Sequence, residues 1–366
     1  MKKIVMLANG HNPFDTRIFH KEAKSLFHAG FTVSIIAPAD KDEVREGIGI
    51  FSVPVYRKGL KKLITLPWLI YKRALKQPKD SWFQIHDSEV LWIGILLKLR
   101  GRKVIYDAHE DTPLQIAYQH WIPKILRKPY AGLYFLIEKL CGFMFDGIIV
   151  AEPVIAKYFP VSKTILIRNF PVAEPFVKHP ENEYINRNMV LVYVGLLSKV
   201  RGMIKMAEGA SIAKKQIEFE FVIGGSFSPS SLQQEVLDNY PVKFLSWVPF
   251  EKLVDLLFES RIGIIVPNPV PRYKTNYPVK LFEYMAASLP VIASKYGEAA
   301  EFVKEAGAGL LVDPMNPQEI ADAIVWLLRN PAEAEAMGKQ GRKKILESWN
   351  WENESRLLID FYNGHN

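Results

Sequence analysis

Short runs of Val, Ile and Leu alternate with longer stretches in which apolar residues recur every three or four positions, from one end of the chain to the other. Runs of the first kind suit strands buried on both faces, and stretches of the second suit helices that cover a sheet. Their alternation predicts parallel sheets in a doubly wound α/β architecture. In the front half, strands are expected at 4–8, 32–37, 50–55, 82–86, 103–107, 147–151 and 164–168, with helices at 17–28, 89–100 and 128–144 among the connections. A polar, proline-containing stretch at 170–183 has the character of an interdomain linker. Further strands follow at 189–194, 219–223, 242–246, 262–266, 290–293 and 309–312, and helices at 317–328, 331–348 and 352–362 close the chain. Two Rossmann-like domains, 1–172 and 185–350, facing a cleft with ligands at the carboxyl ends of their strands, are the expected arrangement.

The length agrees: 366 residues exceed what one compact core accommodates. Apolar content of 49% and charged content of 23% are those of a globular enzyme. No apolar run approaches the roughly 18–20 residues of a membrane helix, and the opening Met-Lys-Lys-Ile-Val-Met-Leu-Ala reads as a first strand rather than a leader. Cys141 is the sole cysteine, so an internal disulfide and a cysteine metal cluster are excluded. Among Leu140, Phe143 and Met144 it reads as an inert core thiol, and the expected compartment is the cytoplasm.

Charge changes this picture. The formal net charge is +8, but residues 1–172 hold 26 Lys+Arg against 15 Asp+Glu, and the remainder 21 against 24. A basic front half suits an acidic partner such as anionic lipid, an anionic acceptor or a nucleic acid. The densest stretch, 57–76, interleaves cations with apolar residues and Trp68. It fits an amphipathic element lying peripherally on the inner face of a membrane, and equally a solvated helix whose other face packs on the sheet.

Candidate chemistry concentrates where strands end. Residues 276–294 read as a loop, a short helix begun by Pro278 and a buried strand. The N–H groups of Val279, Lys280 and Leu281 have no partner within such a helix, and its positive end makes an anion site. Lys280 adds a full charge there and Glu283 lies three residues on, a pairing that suits a diphosphate beside a ribose diol. The plain alternative is a surface Lys–Glu pair worth about 0.2–0.5 kcal/mol. Gly195 follows a strand, where the backbone can approach a ligand, and Arg201 sits near the next helix start with a fork suited to phosphate oxygens. Gly224-Gly225 and Ser246-Trp247-Val248-Pro249 end strands of the same half, with Trp247 read as a core residue. In the front half Asp107-Ala-His109-Glu110 ends a strand; His109 suits proton work near neutral pH, oriented by Asp107 or Glu110. His86-Asp87 ends the preceding strand. Asn9-Gly10-His11-Asn12-Pro-Phe-Asp15-Thr-Arg17 links the first strand to the first helix, with Asp15 as its N-cap.

The run Pro278-Val-Lys280-Leu281-Phe-Glu283-Tyr-Met-Ala resembles the donor-binding helix of GT-B glycosyltransferases in the large retaining Glu-x7-Glu family, also called group 1. The resemblance places Glu283 on the second glutamate, which holds the donor ribose. The first would fall at position 275, where the chain has Thr275, as in a branch of the family that has lost it. The family's Gly-Arg-Leu and Lys-Gly elements correspond to Gly195 and to Arg201-Gly202; its first arginine is replaced by Leu196, and Lys280 is expected to supply that charge. By the same resemblance Gly224 and Val248 line the base pocket, His109 lies near the reacting sugar, and His86 lines the cleft. The loop with Gly10, His11, Asp15 and Arg17 forms the acceptor side, Arg17 facing an anion. Helices closing this fold cross back to the first domain, which assigns 352–366 there.

The implied activity is transfer of a sugar from a nucleotide-diphosphate donor to a hydroxyl acceptor in glycan or glycolipid synthesis, with retention, without cofactor and without metal. Arg201, Lys280 and His109 carry the chemistry. No Gly-x-Gly-x-x-Gly or Walker loop follows the first strand, Asp40-Lys-Asp42 lies in a polar run, and no nucleic-acid motif is present. Two rivals stand. An epimerase of the same fold would convert a nucleotide sugar without acceptor, and a non-catalytic partner would bind the donor without turnover.

Overall fold

In the computed structural model, which describes residues 2–56, 64–118, 122–180 and 183–364, the apolar runs become the strands of two open sheets. The chain divides into two compact units, Met1–Asn169 with Trp351–Asn366, and Phe170–Asn350.

The first unit holds β1 (Lys3–Leu7), β2 (Thr32–Pro38), β3 (Glu43–Arg45), β4 (Ile48–Val53), β5 (Trp82–Ile85), β6 (Lys103–Ala108), β7 (Gly147–Val150) and β8 (Thr164–Leu166). Their order is β3-β4-β2-β1-β5-β6-β7-β8. All neighbours run parallel except β3 and β4. The β3 hairpin is too short and polar to show in the periodicity. It leaves Asp42 bound to Ser52 and to Arg73, at 2.8 Å from the guanidinium, which accounts for the Asp-x-Asp run without a metal. The first crossover helix is split into a π-wound turn, Thr16–Ala23, and an α-helical end, Lys24–His28. The helix expected at 128–144 begins earlier, at Lys124, with Pro129 in its exposed first turns. Cys141 on its inner face is buried, and desolvation pushes its thiol up to about 12. The closing helix Trp351–Gly364 packs in this unit, Trp351 donating to Ser25 and Tyr362 to Gln84 at 2.7 Å.

The second unit holds β9 (Val190–Leu197), β10 (Glu220–Phe227), β11 (Val242–Leu245), β12 (Ile262–Ile265), β13 (Val291–Ser294) and β14 (Gly309–Val312), all parallel, in the order β11-β10-β9-β12-β13-β14. The stretch after Asn169, expected as a linker, is anchored instead. Phe170 and Phe176 are buried in this unit's core, with the Phe170 ring 4.8 Å from that of Phe282. Each buried aromatic contributes about 1.5–3 kcal/mol, enough to override the loop signal of the neighbouring prolines. In both sheets the first strand lies inside, β1 between β2 and β5 and β9 between β10 and β12. The strand order reverses there, and the carboxyl ends open a crevice at that point.

Candidate functional site

In the second unit, the reversal point is built by one tyrosine. β9 and β12 pair only through Leu191 with Ile262 and Val192 with Gly263, then diverge. Tyr284 fills the gap. A Cβ on Gly263 would lie 2.5 Å from its ring, and the Val194 N–H, freed by the divergence, donates to its hydroxyl at 3.1 Å. Lys280 stands one helical turn before Tyr284 on the same face of the helix Val279–Ala286. Anchoring Tyr284 therefore delivers Lys280 to the carboxyl end of β9. A Cβ on Gly195 would meet Lys280 Cε at 2.3 Å and Nζ at 3.2 Å, so only glycine admits the lysine there. Gly195 also has φ +152°, which other residues rarely adopt. The Lys280 ammonium therefore lies against Gly195, one residue before Leu196.

Lys280 and Glu283 are both half-buried, and among the described residues neither side chain has a partner. The plain Lys–Glu surface pair does not form. Two details differ from the sequence expectation. Pro278 is the N-cap, extended at ψ 136°, rather than the first helical residue. Its carbonyl accepts the Leu281 N–H at 3.1 Å, leaving the Val279 and Lys280 amides without a partner among the described residues. Gly195 and Gly224 lie inside β9 and β10, which run on to Leu197 and Phe227. After β9 a tight turn brings the Arg201 N–H to the Ser198 carbonyl at 3.1 Å. Gly202 follows in the left-handed region at φ +81°, its Cα so close that a Cβ would lie 1.9 Å from the Val266 carbonyl. The half-buried Arg201 interacts with the phenol of Tyr193 on β9, below Gly195. Val248 approaches Gly224, where a Cβ would be 3.0 Å away. Trp247, expected in the core, is 82% exposed, two residues beyond the end of β11 at Leu245.

In the first unit, Asp87 gathers the loop after β1. It accepts the N–H of Asn9 at 2.6 Å and of Gly10 at 3.0 Å, and lies 2.9 Å from His11 Nδ1. The hydrogen bond to Asp87 outweighs burial and raises the His11 pKa to about 9. Burial alone would raise Asp87, but His11 and the two amides hold it well below the usual carboxylate range. The rings of His11 and His109 meet edge-on at 5.4 Å. His109 Nδ1 is 3.3 Å from the Asp107 carbonyl and 3.7 Å from the Asp107 carboxylate. Burial opposes its charge, yet Asp107 raises its pKa. Glu110 does not take part, since it binds Gln115. His86 is fully buried, with Nδ1 3.0 Å from Asp107, and desolvation lowers its pKa.

Arg17 is the clear correction. It was expected to face a ligand anion, but only 4% of its side chain is exposed and both its fork nitrogens bind Asp107, at 3.0 and 2.8 Å. Glu22 adds a third carboxylate oxygen at 2.9 Å. The buried Asp107 requires a counter-charge, and Arg17 supplies it. Asp15 does cap the helix, accepting the N–H of Arg17 at 2.8 Å and of Ile18 at 3.2 Å. His86, Asp107 and His109 each present a ligand atom within 4.8 Å of one another. A cation would enter there only by displacing Arg17 from Asp107, so the trio fits a metal poorly.

Residues 177–344 match the model of a family described as glycosyl transferases group 1. The matched stretch falls within the second unit. Gly195, Arg201, Lys280 and Glu283 all fall within it. The chain is 27% identical over 290 residues to spore coat protein SA of Bacillus subtilis, covering 66% of this chain and 75% of that one. It is 37% identical over 86 residues to a GDP-mannose-dependent phosphatidylinositol monomannoside mannosyltransferase of Mycobacterium tuberculosis, covering 24% of this chain and 22% of the relative. The chain thus spans about a fifth of that mannosyltransferase's length. Over its whole length it is similar to the structures of sucrose-phosphate synthase from Thermosynechococcus elongatus (TM-score 0.74, 20% identical, 99% of that chain) and of Anabaena HepE in complex with UDP-glucose (TM-score 0.74, 13% identical, 100% of that chain). The fold is GT-B.

Part of the basic stretch at 57–76 is now placed. Residues 57–63 lie outside the described residues. The helix Leu66–Leu75 turns Leu66, Ile70, Tyr71 and Ala74 inward, leaving Trp68 as its exposed aromatic. Among the described residues no helix is long and apolar enough to cross a membrane.

Proposed function

We propose that this glycosyltransferase moves a sugar from a nucleotide-diphosphate sugar to a hydroxyl acceptor. The observation that carries the reading is Lys280: an ammonium held over a required glycine, at a helix N-terminus where the sheet order reverses, with neither it nor the Val279 and Lys280 amides partnered among the described residues. That arrangement suits a diphosphate. In the reaction the bond from the sugar's anomeric carbon to the diphosphate oxygen breaks. A bond to the acceptor oxygen forms, and the acceptor loses its hydroxyl proton. Lys280, the Val279 and Lys280 amides and Arg201 neutralise the departing diphosphate, the charge that grows most in the transition state. Leu281 lies beside these amides on the donor helix, Glu283 holds the ribose, and Gly224 and Val248 flank the base.

On the first unit we assign His109 to the reacting sugar and acceptor, with Gly10, His11, Asp15 and His86 shaping the acceptor side. Asp107 orients His109, and Arg17 acts through Asp107 rather than on a ligand. Retention of configuration and independence from metal belong to this reading, as does a role in glycan or glycolipid synthesis. The cytoplasm, with peripheral contact at a membrane, is the compartment it implies. A polar side chain at Thr275, the last residue of the short helix Arg272–Thr275, stands where the family has its first glutamate.

Thermal shifts against UDP, GDP and ADP sugars, followed by turnover of Arg201→Ala, test the proposal. One nucleotide sugar should raise the melting temperature, and Arg201→Ala should abolish most of that rise and most of the turnover while the protein stays folded. Stabilisation by none of them, or wild-type turnover in Arg201→Ala, removes the diphosphate assignment. Conversion of the donor without acceptor would favour the epimerase instead.

A further inference from the structure

The helix Lys124–Met144 packs on its unit with one face only. Glu138, Cys141 and Gly142 are buried, Glu138 accepting a hydrogen bond from Tyr106 at 2.9 Å. On the opposite face Leu126, Tyr130, Leu133, Leu136, Leu140 and Phe143 are all exposed, Leu136 at 62% and Phe143 at 65%. Their spacing of three or four residues lines them into one stripe, about 25 Å long at the helical rise. Single apolar residues are normal on a protein exterior, but a continuous stripe of this length marks an interaction surface.

The charges around the stripe say what the partner is. Lys124, Lys128 and Lys139 are exposed on the same helix. Counting 100° per residue, they fall together along one border of the stripe. The helix has one carboxylate, Glu138, and it points inward. At the C-terminal end Lys163 donates to the carbonyls of Phe143 and Phe145 at 2.8 and 2.9 Å, adding a fourth cation beside the last apolar residue. An apolar stripe with a lysine border and no outward acid suits the boundary between phosphate headgroups and acyl chains. A second copy of this helix would bring only further lysines to meet the lysines, with no carboxylate opposite them.

We propose that the outward face of the helix Lys124–Met144 seats on an anionic lipid bilayer. Leu133, Leu136, Leu140 and Phe143 enter the acyl boundary while Lys124, Lys128 and Lys139 meet lipid phosphates. The surface is distinct from residues 64–76, whose apolar face is turned inward, and the proposal stands whether or not the chain transfers sugar.

The test is co-sedimentation of the full chain with phosphatidylcholine vesicles, with and without phosphatidylglycerol. Wild type should bind the anionic vesicles, weaken in high salt, and bind pure phosphatidylcholine poorly. Each lysine at an anionic surface contributes about fivefold in affinity, so Lys124→Ser/Lys128→Ser/Lys139→Ser should lose at least tenfold. Leu136→Glu/Leu140→Glu should lose at least as much. All five side chains changed by these glutamate and border-lysine substitutions are exposed, so melting temperatures should not move. The proposal is overturned if wild type fails to sediment with anionic vesicles, or if Leu136→Glu/Leu140→Glu sediments as well as wild type. A dimer that dissociates in that variant, without vesicle binding, would assign the face to a second copy and overturn it as well.

Discussion

Replacing Lys280 with Met keeps the length of the side chain and removes its charge. Among the described residues Lys280 has no carboxylate partner, so folding loses no ion pair and stability should change by less than about 0.5 kcal/mol. Turnover should respond very differently. A charge-assisted bond to a diphosphate oxygen is worth about 1.5–3 kcal/mol, which is a factor of about 10 to 150 in rate. If the lysine meets charge that grows as the diphosphate departs, kcat falls more than KM rises. Initial rates over a donor titration at saturating acceptor, with a melting curve for each protein, separate the two effects. Gly195→Ala makes a second approach to the same group. Its added Cβ would sit 2.3 Å from Lys280 Cε, so the lysine must move off the strand end and much of the same loss should appear. Turnover of Lys280→Met within twofold of wild type would refute the assignment. So would a large fall in its melting temperature, because the lysine would then be holding the fold rather than a ligand.

Two further outcomes follow from the first unit. Arg17→Leu leaves Asp107 and Glu22 buried without their cation, which should cost about 3–5 kcal/mol in urea unfolding; unchanged stability with a raised acceptor KM would return Arg17 to the role of anion binder. His11, held at about 9 against an ordinary 6.5, binds its proton more tightly folded than unfolded. Its contribution is therefore complete below pH 6.5 and lost as pH rises through about 9. Because the ring is partly exposed, solvent screening keeps that contribution small. Asp87→Asn should bring the His11 titration, followed by NMR, back toward 6.5 and flatten that part of the stability profile. A wild-type His11 that already titrates near 6.5 would end this account.

Legibility differed between the sheets and the sites. Strand positions came from apolar runs, and the runs at 309–312 and 262–266 became β14 and β12 within a residue. The hairpin at Glu43–Arg45 did not show, because three residues with a single, exposed valine carry no periodicity. Phe170 and Phe176 were hidden among prolines, where local turn chemistry masked their burial. In the site, Lys280 could be chosen from its place at a helix start, but Tyr284 was missed altogether. Its part depends on β9 and β12 diverging after Val192, which no local signal records. A tyrosine four residues after the lysine was the available hint.

Taken alone, the amino-acid order determined the two-sheet α/β class, the strand ends where chemistry would lie, and the helix start that carries Lys280, because periodicity and end effects act over a few residues. Tertiary structure alone decided which charges are spoken for. Arg17 and Lys280 look alike as cations near strand ends, yet one is buried against Asp107 and the other stands free over Gly195. That distinction rests on which carboxylates the folded sheet brings within about 4 Å, and residues separated by 90 positions meet only after the chain has folded.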